Sequence, residues 1–355
     1  DRIEWSYFIM NLGLRYDLFE PDGEYPSDLT RPSTSGRLKA SQKNQVSPRF
    51  GVAVPIAEHS VLHLSYGLFF QMPSFNYLYT NPNFRIPVGS FATIGNTNLE
   101  PQRTATYEIG VQHGLTKDIA IDATVYYKDI RNLLGMEVYT LLPSFDKYAR
   151  YVNKDYGQTF GFTIALEQRS SDFFSTTVDY TYMVAEGNSS DPRDTYLKSQ
   201  TMPPTEITKQ LIFLDWDRTH SLNLTARINN KDLWNLGIIG QFGSGFPYTP
   251  EQEGYYPSRE NDERKPYYFN VDLNFAISFR YGSMKTTFFT NIYNIFDIDN
   301  EINIFQDTGR ATYTLAERYH SDEAVKCINT VSDYYYRPDY LSAPRKVLVG
   351  MKFEF

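Results

Sequence analysis

The stretch "YFNVDLNFAISF" (268–279) sets six apolar side chains, Phe269, Val271, Leu273, Phe275, Ile277 and Phe279, against Asn270, Asp272, Asn274, Ala276 and Ser278. Side chains alternate across an extended chain with a period of two, so this is a strand with one greasy face and one polar face. It is about twice the usual strand length of globular proteins and close to the ~9–11 residues that cross a bilayer at a tilt. Outward from it the same pattern recurs. In "TYEIGVQHGL" (106–115), Tyr107, Ile109 and Val111 oppose Thr106, Glu108, Gly110 and Gln112. In "KVLVGMKFEF" (346–355), Val347, Val349, Met351, Phe353 and Phe355 oppose Lys346, Leu348, Gly350, Lys352 and Glu354.

Helical periodicity is almost absent, and alternation predicts twelve strands: 5–16, 47–56, 61–70, 104–115, 119–131, 156–169, 173–186, 218–229, 233–243, 267–280, 284–296 and 344–355. Short and long connections alternate strictly between them. Residues 57–60, 116–118, 170–172, 230–232 and 281–283 are tight turns, whereas 17–46, 71–103, 132–155, 187–217, 244–266 and 297–343 are long and polar. Six long structureless loops argue against a soluble domain. Short turns at one end and long loops at the other are the pattern of an outer-membrane barrel. The expected fold is therefore all-β, a transmembrane antiparallel β-barrel, in contact with membrane lipid. The aromatics Tyr16, Phe70, Tyr127, Tyr182, Tyr267, Tyr268 and Phe296 cluster where strands meet long loops, at the level of a headgroup girdle.

Composition narrows the function. A formal charge of −8 speaks against a nucleic-acid partner, which needs a basic face. The single cysteine, Cys327, excludes a disulfide framework. The five histidines, His59, His63, His113, His220 and His320, are not spaced as metal ligands, and "DIDNEIN" (297–303) lacks the glycine and distal glutamate of a calcium loop. No metal and no cofactor is expected. His63 and Ser65 share the water-facing side of one strand with no orienting partner in view, so no enzyme activity is expected. Arg15, Arg49, Glu108, Asp122, Lys128, Glu167, Asp179, Arg227, Asp272 and Arg280 are assigned to the lumen face, where they keep a wet interior solvated.

Several stretches resemble the TonB-dependent outer-membrane receptors. "NTNLEPQRTATYEIGVQHGL" (96–115) is similar to that family's Asn-Leu-x-Pro-Glu-like segment leading into a strand with Tyr-Glu-x-Gly, here Asn98, Leu99, Glu100, Pro101, Tyr107, Glu108 and Gly110. "VSPRFGVAVPIAEHSVLHLSYGLFFQMPSF" (46–75) resembles the family's Ser-Pro-Arg-x-Gly hairpin, and "FTNIYNIFDIDN" (289–300) its Asn-Leu-Phe-Asp segment. The resemblance implies a 22-stranded barrel with a plug in its lumen. With about twelve strands and no plug, the whole of 1–355 reads as the C-terminal half of such a barrel, in the outer membrane of a Gram-negative bacterium. It implies energised uptake of a scarce ligand: siderophore, vitamin, glycan or peptide. Energy would come from an inner-membrane complex acting through the missing N-terminal region. The terminal Phe353 and Phe355 resemble the signal read by the barrel-assembly machinery. The rival readings are a self-contained twelve-stranded pore or secretion translocator, and a surface adhesin acting through its loops.

For ligand contacts the long loops offer "TNPNFRIPVGSF" (80–91), "LPSFDKYARY" (142–151) and "SDYYYRPDY" (332–340). Arginine beside rings suits flat polar ligands through stacking and forked hydrogen bonds. Phe84, Arg85, Tyr148, Arg150, Tyr335 and Arg337 are the candidate contacts. The alternative is that these rings pack the loops onto one another.

Overall fold

The computed structural model describes residues 2–5, 7–87, 92–169, 173–189, 191–193, 196, 210–230, 233–251, 259–315 and 337–355. In chain order the elements are β1 (Arg2–Trp5), β2 (Phe8–Phe19), β3 (Glu24–Pro26), β4 (Arg37–Lys39), β5 (Lys43–Ala57), β6 (Ser60–Gln71), helix α1 (Phe75–Tyr79), β7 (Ala92–Ile94), β8 (Gln102–Gly114), β9 (Ile119–Thr140) and β10 (Lys147–Gln168). They continue with β11 (Phe174–Gly187), β12 (Ile212–Phe213), β13 (His220–Asn230), β14 (Trp234–Gly243), β15 (Pro247–Tyr248), β16 (Glu263–Arg264), β17 (Tyr268–Tyr281), β18 (Met284–Tyr293) and β19 (Lys346–Glu354).

The long strands form one antiparallel wall in sequence order, β1-β2-β5-β6-β8-β9-β10-β11-β13-β14-β17-β18-β19. All twelve predicted strands are present. The wall is open: β1 and β19 are its two edges and are not paired with each other. The first strand differs from the expected 5–16. Residues 2–5 double back on β2, with Trp5 opposite Phe8, so Trp5 belongs to the preceding strand.

Register fixes which side chains share a face. Asp272 stands opposite Ile239, Ile239 opposite Thr225, Thr225 opposite Thr177 and Thr177 opposite Glu167. Following such pairs across the wall puts all ten predicted lumen charges on one polar face. The other face carries Leu14, Val125 and Val349, which are 76%, 58% and 75% exposed. A continuous wall of exposed large apolar side chains has no place in water and suits lipid. Tyr268 departs from the predicted girdle, since it lies in register with the polar face.

The short turns gather at one end. One is Gly282-Ser283, flanked by the Tyr281–Met284 pair. Gly282 has φ +60° with open space around it, while Ser283 does not take a positive φ. That is the geometry of a two-residue hairpin with glycine first, where a side chain would be strained.

The main correction concerns 132–155, which is not a loop. β9 and β10 run on as a hairpin of two 22-residue strands joined by residues 141–146. Register shifts between Asn153 and Asp155 and between Asp155 and Gly157, with Asn132 at φ +60°, mark bulges where the hairpin leaves the wall. Beyond them Tyr148, Ala149, Arg150 and Tyr151 are all buried. A strand covered on both faces loses its period-two signal, so alternation stops at the bulge although the strand does not.

Candidate ligand-binding loop layer

At the long-loop end two groups of loops are built on the wall. The first packs on the projecting hairpin. β7 lies parallel to β10, with Ala92, Thr93 and Ile94 beside Tyr148, Ala149 and Arg150. Leu78, Leu99, Met136, Ala149, Tyr151 and Tyr196 form one apolar cluster, and Phe84, Ile94 and Tyr148 form a second. Tyr148 is fully buried; its hydroxyl donates to the Leu29 carbonyl at 2.5 Å and its ring stacks on Tyr139 at 5.7 Å between centroids. Arg150 is buried too. Its Nη2 donates to Asn96 Oδ1 at 2.7 Å, and the Asn96 amide donates to the Tyr151 carbonyl at 2.9 Å. The guanidinium lies over the Tyr25 ring. Burial pushes the Tyr148 phenol well up from its ordinary range, and pushes Tyr139 up to about 12 with help from its hydrogen bond to Glu137. Burial also pulls Arg150 down.

Of the six candidate contacts, then, three are interior. Phe84, Tyr148 and Arg150 hold loops together, with Arg37 stacked 4.4 Å above the Phe84 ring. Arg85 is exposed and Arg337 half-buried. Tyr335 lies outside the described residues. Ring packing and ligand contact were both open in the sequence; the structure buries these three side chains in and against a hairpin hidden by its lost alternation.

The motif residues have a structural role here. Lys43, buried at the top of β5, donates from Nζ to Glu100 Oε1 at 2.6 Å, Asn98 Oδ1 at 3.1 Å and Ser41 Oγ at 2.8 Å. The Glu100 backbone N–H donates to Asn153 Oδ1, the Asn153 Nδ2 donates back to the Glu100 carbonyl, and Leu99 is buried. With the Asn132 amide donating to the Pro101 carbonyl, the Asn98–Pro101 segment thus pins β5, β9 and β10 at their upper ends. Asn294, at φ +53°, does the same near the chain's other end. Its backbone N–H donates to Asp272 Oδ1, and its amide donates to the Ile298 and Ala343 carbonyls. Asp272 is therefore a clamp and not a free lumen charge.

The second group of loops surrounds a recess of about 1020 Å³, which Trp216, Tyr248, Tyr340, Glu260, Arg337 and Asp339 help to line. Arg337 is bridged to Asp339 at 2.7 Å and lies over the Tyr340 ring. Beneath it, fully buried Asp217 accepts from Arg264 Nη2 at 2.6 Å and from the Ala185 backbone N–H. This tie holds the lead-in to β13 against β16. The recess was missed because its rings are scattered over three loops and meet only after folding.

One pair that sequence reasoning did not see lies on the apolar face near the short-turn end. Ser60 Oγ and His113 Nδ1 are 2.7 Å apart across β6 and β8. Among the described residues no carboxylate bonds to His113, so the pair lacks the orienting group that hydrolysis needs.

The profile of the TonB-dependent receptor-like β-barrel matches residues 1–295. No curated protein matches the chain. Solved structures do. The ferric-catecholate import receptor Fiu of Escherichia coli is 16% identical with a TM-score of 0.55, over 98% of this chain and 42% of that one. The E. coli outer-membrane transporter YddB is 13% identical with a TM-score of 0.62, over 86% and 41%. The siderophore receptor PiuA of Acinetobacter baumannii is 16% identical with a TM-score of 0.53, over 83% and 37%. The chain spans about two fifths of the length of these structures. At such identities the likeness is one of fold. The wall topology, the loop asymmetry and the profile match agree: the chain belongs to the TonB-dependent receptor β-barrel family, a family of outer-membrane barrels that are receptors and transporters.

Proposed function

We propose that this chain is the C-terminal half of the barrel of an outer-membrane receptor that takes up a scarce ligand with energy delivered from the inner membrane. The observation that carries the reading is the profile match over a wall whose long loops all lie at one end. The open edges at β1 and β19, and the share of each solved relative that the chain covers, support a partial barrel over a self-contained pore. In this reading the partners are membrane lipid, the barrel-assembly machinery and the energising complex, and the location is the outer membrane of a Gram-negative cell. The ligand enters at the recess, where Trp216 and Tyr340 offer stacking and the Arg337–Asp339 pair a charged, polar contact. Arg85 offers a second exposed contact. Phe84, Tyr148 and Arg150 act by holding the loops in place. A recess of this size lies at the upper end of the range of small-ligand sites.

The test is growth of cells carrying the full receptor on ferric siderophores, cobalamin, oligosaccharides and peptides, each as the limiting nutrient. Deleting the receptor is expected to abolish growth on one of them. Trp216→Ala is expected to weaken binding of that nutrient by about tenfold, the equivalent of about 1.4 kcal/mol. Unchanged growth on every nutrient would sink the transport reading.

A second expectation concerns assembly. Phe353 lies on the apolar face of β19 at the edge of the wall, and Phe355 follows it almost fully exposed. Unpaired strand edges are very costly in lipid, so the last strand must be recognised and paired during insertion. Phe355→Ala is expected to lower the amount of membrane-inserted receptor more than Met351→Ala does. Equal insertion of the two would remove the special role of the terminal ring.

A further inference from the structure

The apolar face carries two cations set directly against each other. Arg103 on β8 stands opposite Arg131 on β9. Both are exposed, and register puts them on the same face as Tyr107 and Tyr127, four residues further toward the long loops. Tyr66, Tyr107 and Tyr127 are consecutive cross-strand neighbours, with ring centroids 5.1 and 6.3 Å apart. Such a row of rings is what a membrane interface selects. Four residues of strand rise about 13 Å, or roughly 10 Å along the membrane normal at a barrel strand's tilt. The arginines are thereby raised from the ring row into the outer headgroup layer.

Like charges directly opposite in a ladder destabilise it. Arg131 is partly compensated, since its Nε donates to Asp129 Oδ1 at 2.8 Å and its guanidinium lies 5.5 Å from the centre of the Tyr156 ring. Asp129 offsets the charge of Arg131 and leaves that of Arg103 without a bonded carboxylate among the described residues. Arg103 has no side-chain hydrogen bond or ion pair among the described residues. Five guanidinium donors on a surface that faces lipid are thus left to whatever lies beside the barrel.

We infer that Arg103 and Arg131 form a clamp for the phosphate of an outer-leaflet lipid headgroup. Guanidinium groups meet phosphate through paired, charge-assisted hydrogen bonds, and an anion between the two arginines turns their repulsion into attraction. Phe70, directly opposite Arg103 on β6, and Tyr156 give the clamp apolar flanks against which acyl chains or sugar faces pack. The inference rests on the span and orientation of the wall, not on what the receptor transports.

The test uses the full receptor in detergent micelles, titrated with diphosphoryl lipid A, with its dephosphorylated form and with inorganic phosphate. Diphosphoryl lipid is expected to bind. The double variant Arg103→Gln/Arg131→Gln is expected to bind it at least tenfold more weakly, and Arg169→Gln, an exposed arginine at the short-turn end, to bind it as the parent does. Folding of each variant is checked by heat-modifiable migration on gels. Three results would each overturn the proposal: equal binding of phosphorylated and dephosphorylated lipid, unchanged binding in the folded double variant, or inorganic phosphate competing fully, which would mean a free-anion site.

Discussion

Leu224→Arg will lower the stability of the membrane-inserted barrel by roughly 2–4 kcal/mol, the cost of a cation on the lipid face near the bilayer midplane, whereas Asn223→Arg will be nearly neutral. The two residues are neighbours near the middle of β13, and register sends them to opposite faces. Leu224 pairs with Val178 and Gly240 on the apolar side; Asn223 pairs with Asp179 and Gln241 on the polar side. An arginine at 223 would face water and a carboxylate, while one at 224 would have to leave water or drag it into the hydrocarbon. Asp272 and Leu273 look like an equally good pair in sequence, but Asp272 receives the Asn294 backbone N–H and the Asn270 amide. Changing it would break the clamp as well as the charge pattern. The measurement is urea unfolding of folded variants in lipid vesicles. Equal losses at 223 and 224 would mean that both faces are covered alike, and the membrane reading would fall.

The contrast between these residues also shows what the sequence could reveal. Where one face meets lipid and the other water, alternation marks every second residue, and all twelve strands were legible from it, with their ends within a few residues except where β9 and β10 run on nine residues beyond the expected 131 and 156. At the bulges after Arg131 and before Gly157 the environment changes. Loops cover both faces of the hairpin, polar and apolar residues no longer alternate, and "LLGMEVYT" reads as loop although it is strand. The candidate site suffered for the same reason. Arginine beside tyrosine in "DKYARY" is equally the composition of a binding surface and of a packed loop core. Only the contacts from Leu29 and Asn96, some 119 and 54 residues away in the chain, tell them apart. The motif residues Asn98, Glu100 and Asn294 were visible, but their partners Lys43 and Ala343 lie far off in sequence and could not be named from it.

Tyr148→Ala is expected to undo the first group of loops while leaving the wall intact. The side chain is fully buried between Phe84, Ile94 and Tyr139, and its hydroxyl is the donor to the Leu29 carbonyl. Truncating a buried aromatic to alanine costs about 3–5 kcal/mol through lost transfer and the cavity left behind. Here the carbonyl of Leu29 also loses its donor. That loss falls on a unit with little to spare. β7 has three residues, α1 has five, and β3 with β4 makes a hairpin of three pairs, so none of them is stable alone. The wall strands, by contrast, are laddered along their whole length and do not depend on Tyr148. Limited proteolysis of the folded receptor should therefore show cuts in 20–42 and 72–101 that the parent resists, with the barrel core still protected. Tyr148→Phe, which keeps the ring and removes only the hydroxyl, should show a much smaller effect of about 1 kcal/mol. If Tyr148→Ala left both loops as resistant as in the parent, the ring would not be holding them. Tyr148 and Arg150 would then return to consideration as ligand contacts.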